Sequence, residues 1–204
     1  MKTVFMIALG AVCCCAAGRR TPTRNIDPAS DRAGAVAAID YRDLKRVTGE
    51  MPQSLMASGK LAARADGARH VLAVGKVRND TMQRFDTDTL TAQIIEEISG
   101  SGTVLVTAAV AAGADGRDDM VDATRALRGD AEVKQGAVAA PGQLLPPTLS
   151  LSGKIVQKEV RMDNGDKQIE YYFQLRLVEI ATGIQGWQKQ VFVGKRTDKR
   201  TPTW

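Results

Sequence analysis

The residues with the clearest chemistry are three consecutive cysteines, Cys13, Cys14 and Cys15, which are the only cysteines of the chain. They follow a positively charged start and an apolar run over residues 4–12, the layout of a bacterial export signal, and this run is too short to span a bilayer. A cysteine directly after such a signal is the usual site of lipid attachment through its thiol. Cys15 fits lipidation best because aliphatic Val12 lies three positions before it and a small residue just before it. Cys13 and Cys14 are the alternatives.

A plain secretory signal cut after Ala17, with Cys15 and Ala17 as the small pair, is the competing interpretation. We favour lipidation, in which residues 1–15 form the signal peptide and the lipidation site. Several acyl chains on one cysteine would hold the protein on a membrane, since each buried methylene contributes roughly 0.8 kcal/mol. Export also places the protein outside the cytoplasm, away from nucleic acid. We therefore do not expect nucleic acid as a partner.

Residues suited to catalysis are scarce in the rest of the chain. His70 is the only histidine, and its place at the start of an apolar segment favours a structural role. The acidic group Asp115, Asp118 and Asp119 lacks the alternating ligands and closing glutamate of a calcium loop, which favours a charged helix start. The glycine-rich stretches lack the lysine and spacing of a phosphate-binding loop. We therefore predict a binding protein with no catalytic residue, metal or cofactor.

The most suggestive surface for binding follows an apolar segment over His70–Val77. Loops after sheet strands often carry recognition residues. We single out Arg78, Asn79, Thr81 and Arg84 as candidate partner-binding residues. An equally strong interpretation is a capped connection in which Asn79 and Thr81 only satisfy their own backbone.

Apolar residues at helical spacing predict a first helix from near Asp40, namely Leu44, Val47, Met51 and Leu55. Pro52 lies inside this pattern and predicts a kink or a break. The segment His70–Val77 predicts a strand, and Asp86 is an N-cap candidate for a second helix. A short strand over residues 103–107 follows. Strand, helix and strand in this order are typical of a parallel βαβ unit.

The second half of the chain carries a different pattern. Asp118 and Asp119 predict the start of a third helix, with Met120, Ala123 and Leu127 on one side, and residues 129–147 read as loop. Beyond residue 147 apolar residues alternate with polar ones, as expected for three antiparallel strands. The clearest alternation is Ile169, Tyr171, Phe173, Leu175 and Leu177. We predict an α/β fold whose mixed sheet combines the βαβ unit with an antiparallel meander, with helices packed on the sheet.

These patterns divide the chain into four parts. After the signal, residues 16–35 lack apolar periodicity and predict a flexible tether, with an end-to-end distance of about 25 Å as a coil. Residues 36–195 form a single α/β domain, which we expect to be monomeric. Residues 196–204 form a basic C-terminal tail. The formal net charge of +5 is concentrated in the tether and this tail.

The order of these segments resembles the LpoB-type activators of penicillin-binding proteins. The resemblance covers nearly the whole mature domain and is most specific in "VLAVGKVRNDT", residues 71–81, and "LVEIATGIQGW", residues 177–187. It implies a non-enzymatic outer-membrane lipoprotein on the periplasmic side, which binds a bifunctional class A penicillin-binding protein and stimulates peptidoglycan synthesis. Compared with family members, the tether is short and the hairpin around Asn164 is extended.

A secretion or pore-forming lipoprotein related to the curli-export subunit is the alternative. The alternation over residues 169–177 would suit a membrane strand that faces lipid on one side. Charged residues crowd the neighbouring segment, however: Lys154, Lys158, Glu159 and Arg161. A sheet covered by helices explains the same alternation without a membrane.

Overall fold

A computed structural model describes residues 37–110, 118–198 and 200. The predicted signal peptide, the lipidation candidates Cys13, Cys14 and Cys15, and the predicted tether over residues 16–35 lie outside the described residues. So do Asp115 and most of the predicted tail. The last strand ends at Thr197, two residues into the segment assigned to the tail.

A five-stranded mixed sheet forms the centre of the described fold. Its strands are β1 (His70–Asp80), β2 (Val104–Thr107), β3 (Leu149–Arg161), β4 (Lys167–Glu179) and β5 (Gln185–Thr197), in the spatial order β2-β1-β3-β4-β5. β1 is parallel to β2 and β3, whereas β3, β4 and β5 pair antiparallel. The predicted combination of a parallel βαβ unit and an antiparallel meander is confirmed. The β3–β4 hairpin has two strands of 13 residues each, as its sequence suggested.

Three α-helices of the described ranges accompany the sheet: α1 (Tyr41–Ala57), α2 (Thr87–Gly100) and α3 (Asp119–Ala126). The side chain of Asp40 caps α1 in a reciprocal capping box with Asp43, and Asp86 caps α2 as predicted. The predicted break at Pro52 is wrong, because α1 continues through it. Pro52 is itself buried on the face of α1 that packs on the core, so tertiary packing offsets the hydrogen bond that proline removes.

The core lies between one side of the sheet and helices α1 and α2. The alternating residues of β4 point into it, and each is at most 4% exposed: Ile169, Tyr171, Phe173, Leu175 and Leu177. Their alternation is thus accounted for by helix packing. The predicted apolar side of α3 is not buried, since Met120 is 66% exposed. Within the described ranges, no helix combines the length and apolarity needed to cross a membrane.

A β-bulge in β1 changes which side its residues face. Val74 pairs with Leu151 and Val77 with Gly153, so two residues of β1, Gly75 and Lys76, lie opposite one residue of β3. Regular alternation would turn Lys76 toward the core, and the extra residue instead places it on the opposite side of the sheet. The bulge therefore adds a cation to that side.

Candidate partner-binding surface

We call the side of the sheet opposite α1 and α2 the open face, because the side chains that β3, β4 and β5 present on that side are half-buried or exposed. Strand register places its side chains in rows that cross the sheet. Val156 of β3 pairs with Tyr172 of β4, which pairs with Phe192 of β5. We call these three residues the aromatic row. The Tyr172 and Phe192 rings have centroids 5.5 Å apart and planes tilted by 50°.

The ring of Phe192 is 46% exposed, yet its neighbours hold it in place. It lies over Gly194, where an added Cβ would come within 2.7 Å of the ring's Cζ atom. Arg46 of α1 donates a hydrogen bond from Nη2 to the carbonyl of Phe192 at 2.8 Å, which fixes the strand. The glycine thus provides the space that lets the ring rest on the sheet.

Tyr172 is oriented by charged neighbours. Its hydroxyl donates to a carboxylate oxygen of Glu170 at 2.6 Å, and the Lys158 Nζ lies 5.6 Å from its ring centroid. The hydrogen bond to Glu170 raises the pKa of Tyr172, and burial adds to this. The bonds from Tyr172 and Gln168 lower the pKa of Glu170, so this carboxylate is charged and already bonded near neutral pH.

A basic groove of about 470 Å³ adjoins the aromatic row on the open face. Four cationic side chains line it: Lys76, Arg78, Lys154 and Arg176. Among the described residues that line it there is no carboxylate, and the others are polar or small apart from Leu175. Arg176 donates from Nε to the hydroxyl of Ser152 at 3.1 Å. The groove therefore presents positive charge beside an apolar row.

The structure divides the four predicted partner-binding residues into two kinds. Asn79 accepts hydrogen bonds at Oδ1 from the backbone N–H and the hydroxyl of Thr81, at 3.0 and 2.7 Å. The Asn79 amide donates to the carbonyl of Gln83, and the Thr81 hydroxyl oxygen lies 3.0 Å from the same carbonyl. These two side chains thus bond within the loop, as a capped connection requires, and their part in binding a partner stays a prediction.

Arg78 and Arg84 are the two members of this set with exposed side chains. Arg78 belongs to β1 rather than to the loop, and it pairs with Asp80 at 2.8 Å. Met82 at the loop tip is 73% exposed, and its backbone N–H donates to the Gln157 side chain at 3.1 Å. Gln157 pairs with Tyr171 on the packed side of the sheet, so this contact ties the loop to β3 on that side and not on the open face.

Two of the residues that the sequence offered for catalysis or metal binding, His70 and Asp118, have structural contacts. His70 Nδ1 lies 3.0 Å from the Thr148 hydroxyl, which joins the starts of β1 and β3. Asp118 accepts a hydrogen bond from the backbone N–H of Met120 and caps α3, as predicted. The described residues contain no cluster of three or more His, Cys, Asp or Glu side chains able to hold a metal ion.

A mixed sheet with one packed face and one open, basic face defines an α/β domain suited to binding. The sequence matches the family described as "Peptidoglycan-synthase activator LpoB" over residues 43–193. The chain therefore belongs to the LpoB family, whose members are regulatory activators and not enzymes. The activator resemblance seen in the sequence is confirmed.

Solved structures similar to this chain include the LpoB C-terminal domain from Salmonella enterica, at 11% identity, covering 74% of this chain and 98% of that one, with a TM-score of 0.46. The LpoB C-terminal domain from Escherichia coli is 15% identical, with coverages of 74% and 96% and a TM-score of 0.41. The NMR structure of Escherichia coli LpoB is 13% identical, with coverages of 87% and 81% and a TM-score of 0.39. A comparison with curated proteins gave no match.

Proposed function

We propose that the protein is a lipoprotein of the outer membrane, facing the periplasm, that binds and activates a bifunctional class A penicillin-binding protein. The match to the peptidoglycan-synthase activator family over residues 43–193 is the observation that carries this proposal. The export pattern that ends at Cys15 supports lipid anchoring. The activator brings no chemistry of its own and acts on the catalytic state of its partner.

Activation of this kind is a coupling between binding and conformation. The activator stimulates the synthase by binding its active conformation more tightly than its inactive one. A tenfold shift in that equilibrium requires about 1.4 kcal/mol of difference between the two binding free energies. A few well-placed contacts supply a difference of this size.

The end of β1 and the loop after it supply the first set of contacts in this proposal. Arg78 and Arg84 present exposed guanidinium groups to carboxylates of the synthase. Asn79 and Thr81 act indirectly, because their hydrogen bonds to each other and to Gln83 hold the loop in shape. Substituting the arginines would weaken binding, and substituting the other two would loosen the loop first.

The test is a glycan-polymerisation assay with full-length protein in detergent and a bifunctional synthase recovered from envelope extract with this protein as bait. We expect a faster initial rate with the wild-type protein and a smaller stimulation with Arg84→Ala. Arg69→Ala is the matched control, since Arg69 is also exposed but lies just before the start of β1, at its opposite end. A recovered synthase that runs no faster with wild-type protein would contradict the activator proposal.

A further inference from the structure

The open face leaves large apolar side chains in solvent on a regular strand. Phe192 is 46% exposed in the middle of β5, and Tyr172 and Val156 beside it are half-buried. These residues lie far apart in sequence and are aligned only by strand register. An apolar row of this kind, bordered by charged residues, is the arrangement found at the centre of protein interfaces.

The aromatic row is also preorganised. The Phe192 ring rests on Gly194, and the Tyr172 hydroxyl is held by Glu170 at 2.6 Å. Binding through side chains that already occupy one conformation loses little rotamer entropy. Fixed aromatic side chains are therefore strong candidates for the residues that dominate a binding energy.

The charge of the open face determines which kind of partner surface is complementary to it. Its cationic side chains are Lys76, Arg78, Lys154, Lys158, Arg176 and Arg196. Its carboxylates are Asp80, which pairs with Arg78, and Glu170, which accepts from Tyr172. The cations outnumber the carboxylates and surround the aromatic row, so a complementary surface carries acidic residues around an apolar centre.

The geometry points to the open face as the docking surface for an acidic, apolar-centred surface of the synthase, with Phe192 and Tyr172 as anchors and the basic groove as the charged rim. This inference rests on the proposed function and deepens it, because it names the chemistry of the contact. A polyanion such as an anionic lipid or wall polymer would engage the cations through its charge, whereas a protein surface can also bury the aromatic row.

The experiment measures the Kd of full-length protein in detergent for the recovered synthase. Phe192→Ala should raise the Kd by at least about tenfold, the effect typical of an interface anchor. Leu145→Ala is the matched control, because Leu145 is 61% exposed but belongs to the connection before β3. The Kd of this control variant should stay within about twofold of the wild-type Kd. Thermal unfolding of each variant at the wild-type temperature shows that the fold is intact.

Two further variants separate the anchor from the rim. Lys154→Glu should raise the Kd and weaken its dependence on salt, since it reverses one charge beside the groove. Gly194→Ala leaves every contacting side chain present but displaces the Phe192 ring, so it should also weaken binding.

The outcomes distinguish this inference from the proposed function. Wild-type Kd values for both Phe192→Ala and Lys154→Glu, with stimulation of the synthase intact, would overturn the docking surface and leave the activator proposal standing. A second contrary outcome has two parts: Lys154→Glu weakens binding to the synthase whereas Phe192→Ala does not, and binding to vesicles containing phosphatidylglycerol depends on Lys154. This outcome would show a polyanion site and would also overturn the inference. A wild-type protein that stimulates no synthase overturns the activator proposal itself.

Discussion

Lys195 of β5 links the last strand to the start of α1, and replacing it with methionine tests what this link contributes. Its Nζ lies 2.6 Å from an Asp43 carboxylate oxygen and 3.8 Å from one of Asp40. The side chain of Lys195 is only 9% exposed, and those of both aspartates are 13% exposed. Methionine keeps most of the volume of the lysine side chain and removes its charge.

The size of the effect follows from this degree of burial. Removing one partner of a fully buried ion pair costs about 3–5 kcal/mol, whereas an exposed pair contributes about 0–1 kcal/mol. The Asp40 carboxylate keeps its bonds from Arg42 and from the helix N-terminus, which compensates part of the loss. We therefore expect Lys195→Met to lower the free energy of unfolding by about 2 kcal/mol. In a domain of this size that lowers the Tm by about 4–8 °C.

The stability that Lys195→Met loses should also depend on pH. Burial raises the pKa of Asp40. The hydrogen bonds from the Arg42 side chain and the Asp43 backbone N–H lower it, and so do the charges of Lys195 and Arg42. The net result is a pKa below its ordinary value of 3.8. A carboxyl group with a lowered folded-state pKa stabilises the fold above its unfolded pKa and loses this contribution as the pH falls through the folded value. The difference between wild type and Lys195→Met should therefore narrow below about pH 4.

Urea unfolding of both proteins at pH 7 and pH 3 provides the measurement. Arg196→Met is the matched control, because Arg196 is the next residue, is exposed and lies on the opposite side of the strand. The free energy of unfolding of Arg196→Met should stay within about 0.5 kcal/mol of the wild-type value. If Lys195→Met lowers the free energy of unfolding by less than about 0.5 kcal/mol at pH 7, the reasoning is refuted and the ion pair behaves as a screened surface pair.

Three further outcomes are expected. Gly153→Ala should lower the free energy of unfolding by about 1–3 kcal/mol in urea, because the added Cβ would lie 2.5 Å from Leu175 Cδ2; an unchanged midpoint would contradict this. Asn79→Ala should cost about 1–3 kcal/mol by thermal unfolding, since it removes the acceptor of the Thr81 backbone N–H and one of the two partners of the Gln83 carbonyl; a neutral result would show that the loop holds its shape without this side chain. Cys15→Ser should release the protein from the membrane fraction while Cys13→Ser does not, and retention of the Cys15 variant would place the lipid elsewhere.

Local patterns predicted most of the elements because their causes are local. Asp40 and Asp86 cap helices through backbone groups two or three residues away, and the alternation over residues 169–177 reports which side of a strand is apolar. The break predicted at Pro52 was wrong for the opposite reason. Its cost in the helix is local, but the packing that offsets it comes from the core.

The candidate surface was harder to predict because it depends on register. The sequence alone offered two interpretations of Asn79 and Thr81, and only the position of the Gln83 carbonyl decided that their polar groups are used within the loop. The aromatic row was missed altogether. Tyr172 and Phe192 stand at the polar positions of their strands, and this break in the alternation is the signal that would have found them.

The sequence by itself determined the order of strands and helices, the side of the antiparallel strands that enters the core, and the family to which the chain belongs. Capping, periodicity and turn chemistry act between near neighbours and can be read directly from the chain. Tertiary structure alone decided the bulge that turns Lys76 outward and the alignment of Val156, Tyr172 and Phe192. Such juxtapositions depend on how distant strands pair, and a shift by one residue would turn every one of these side chains to the other side of the sheet.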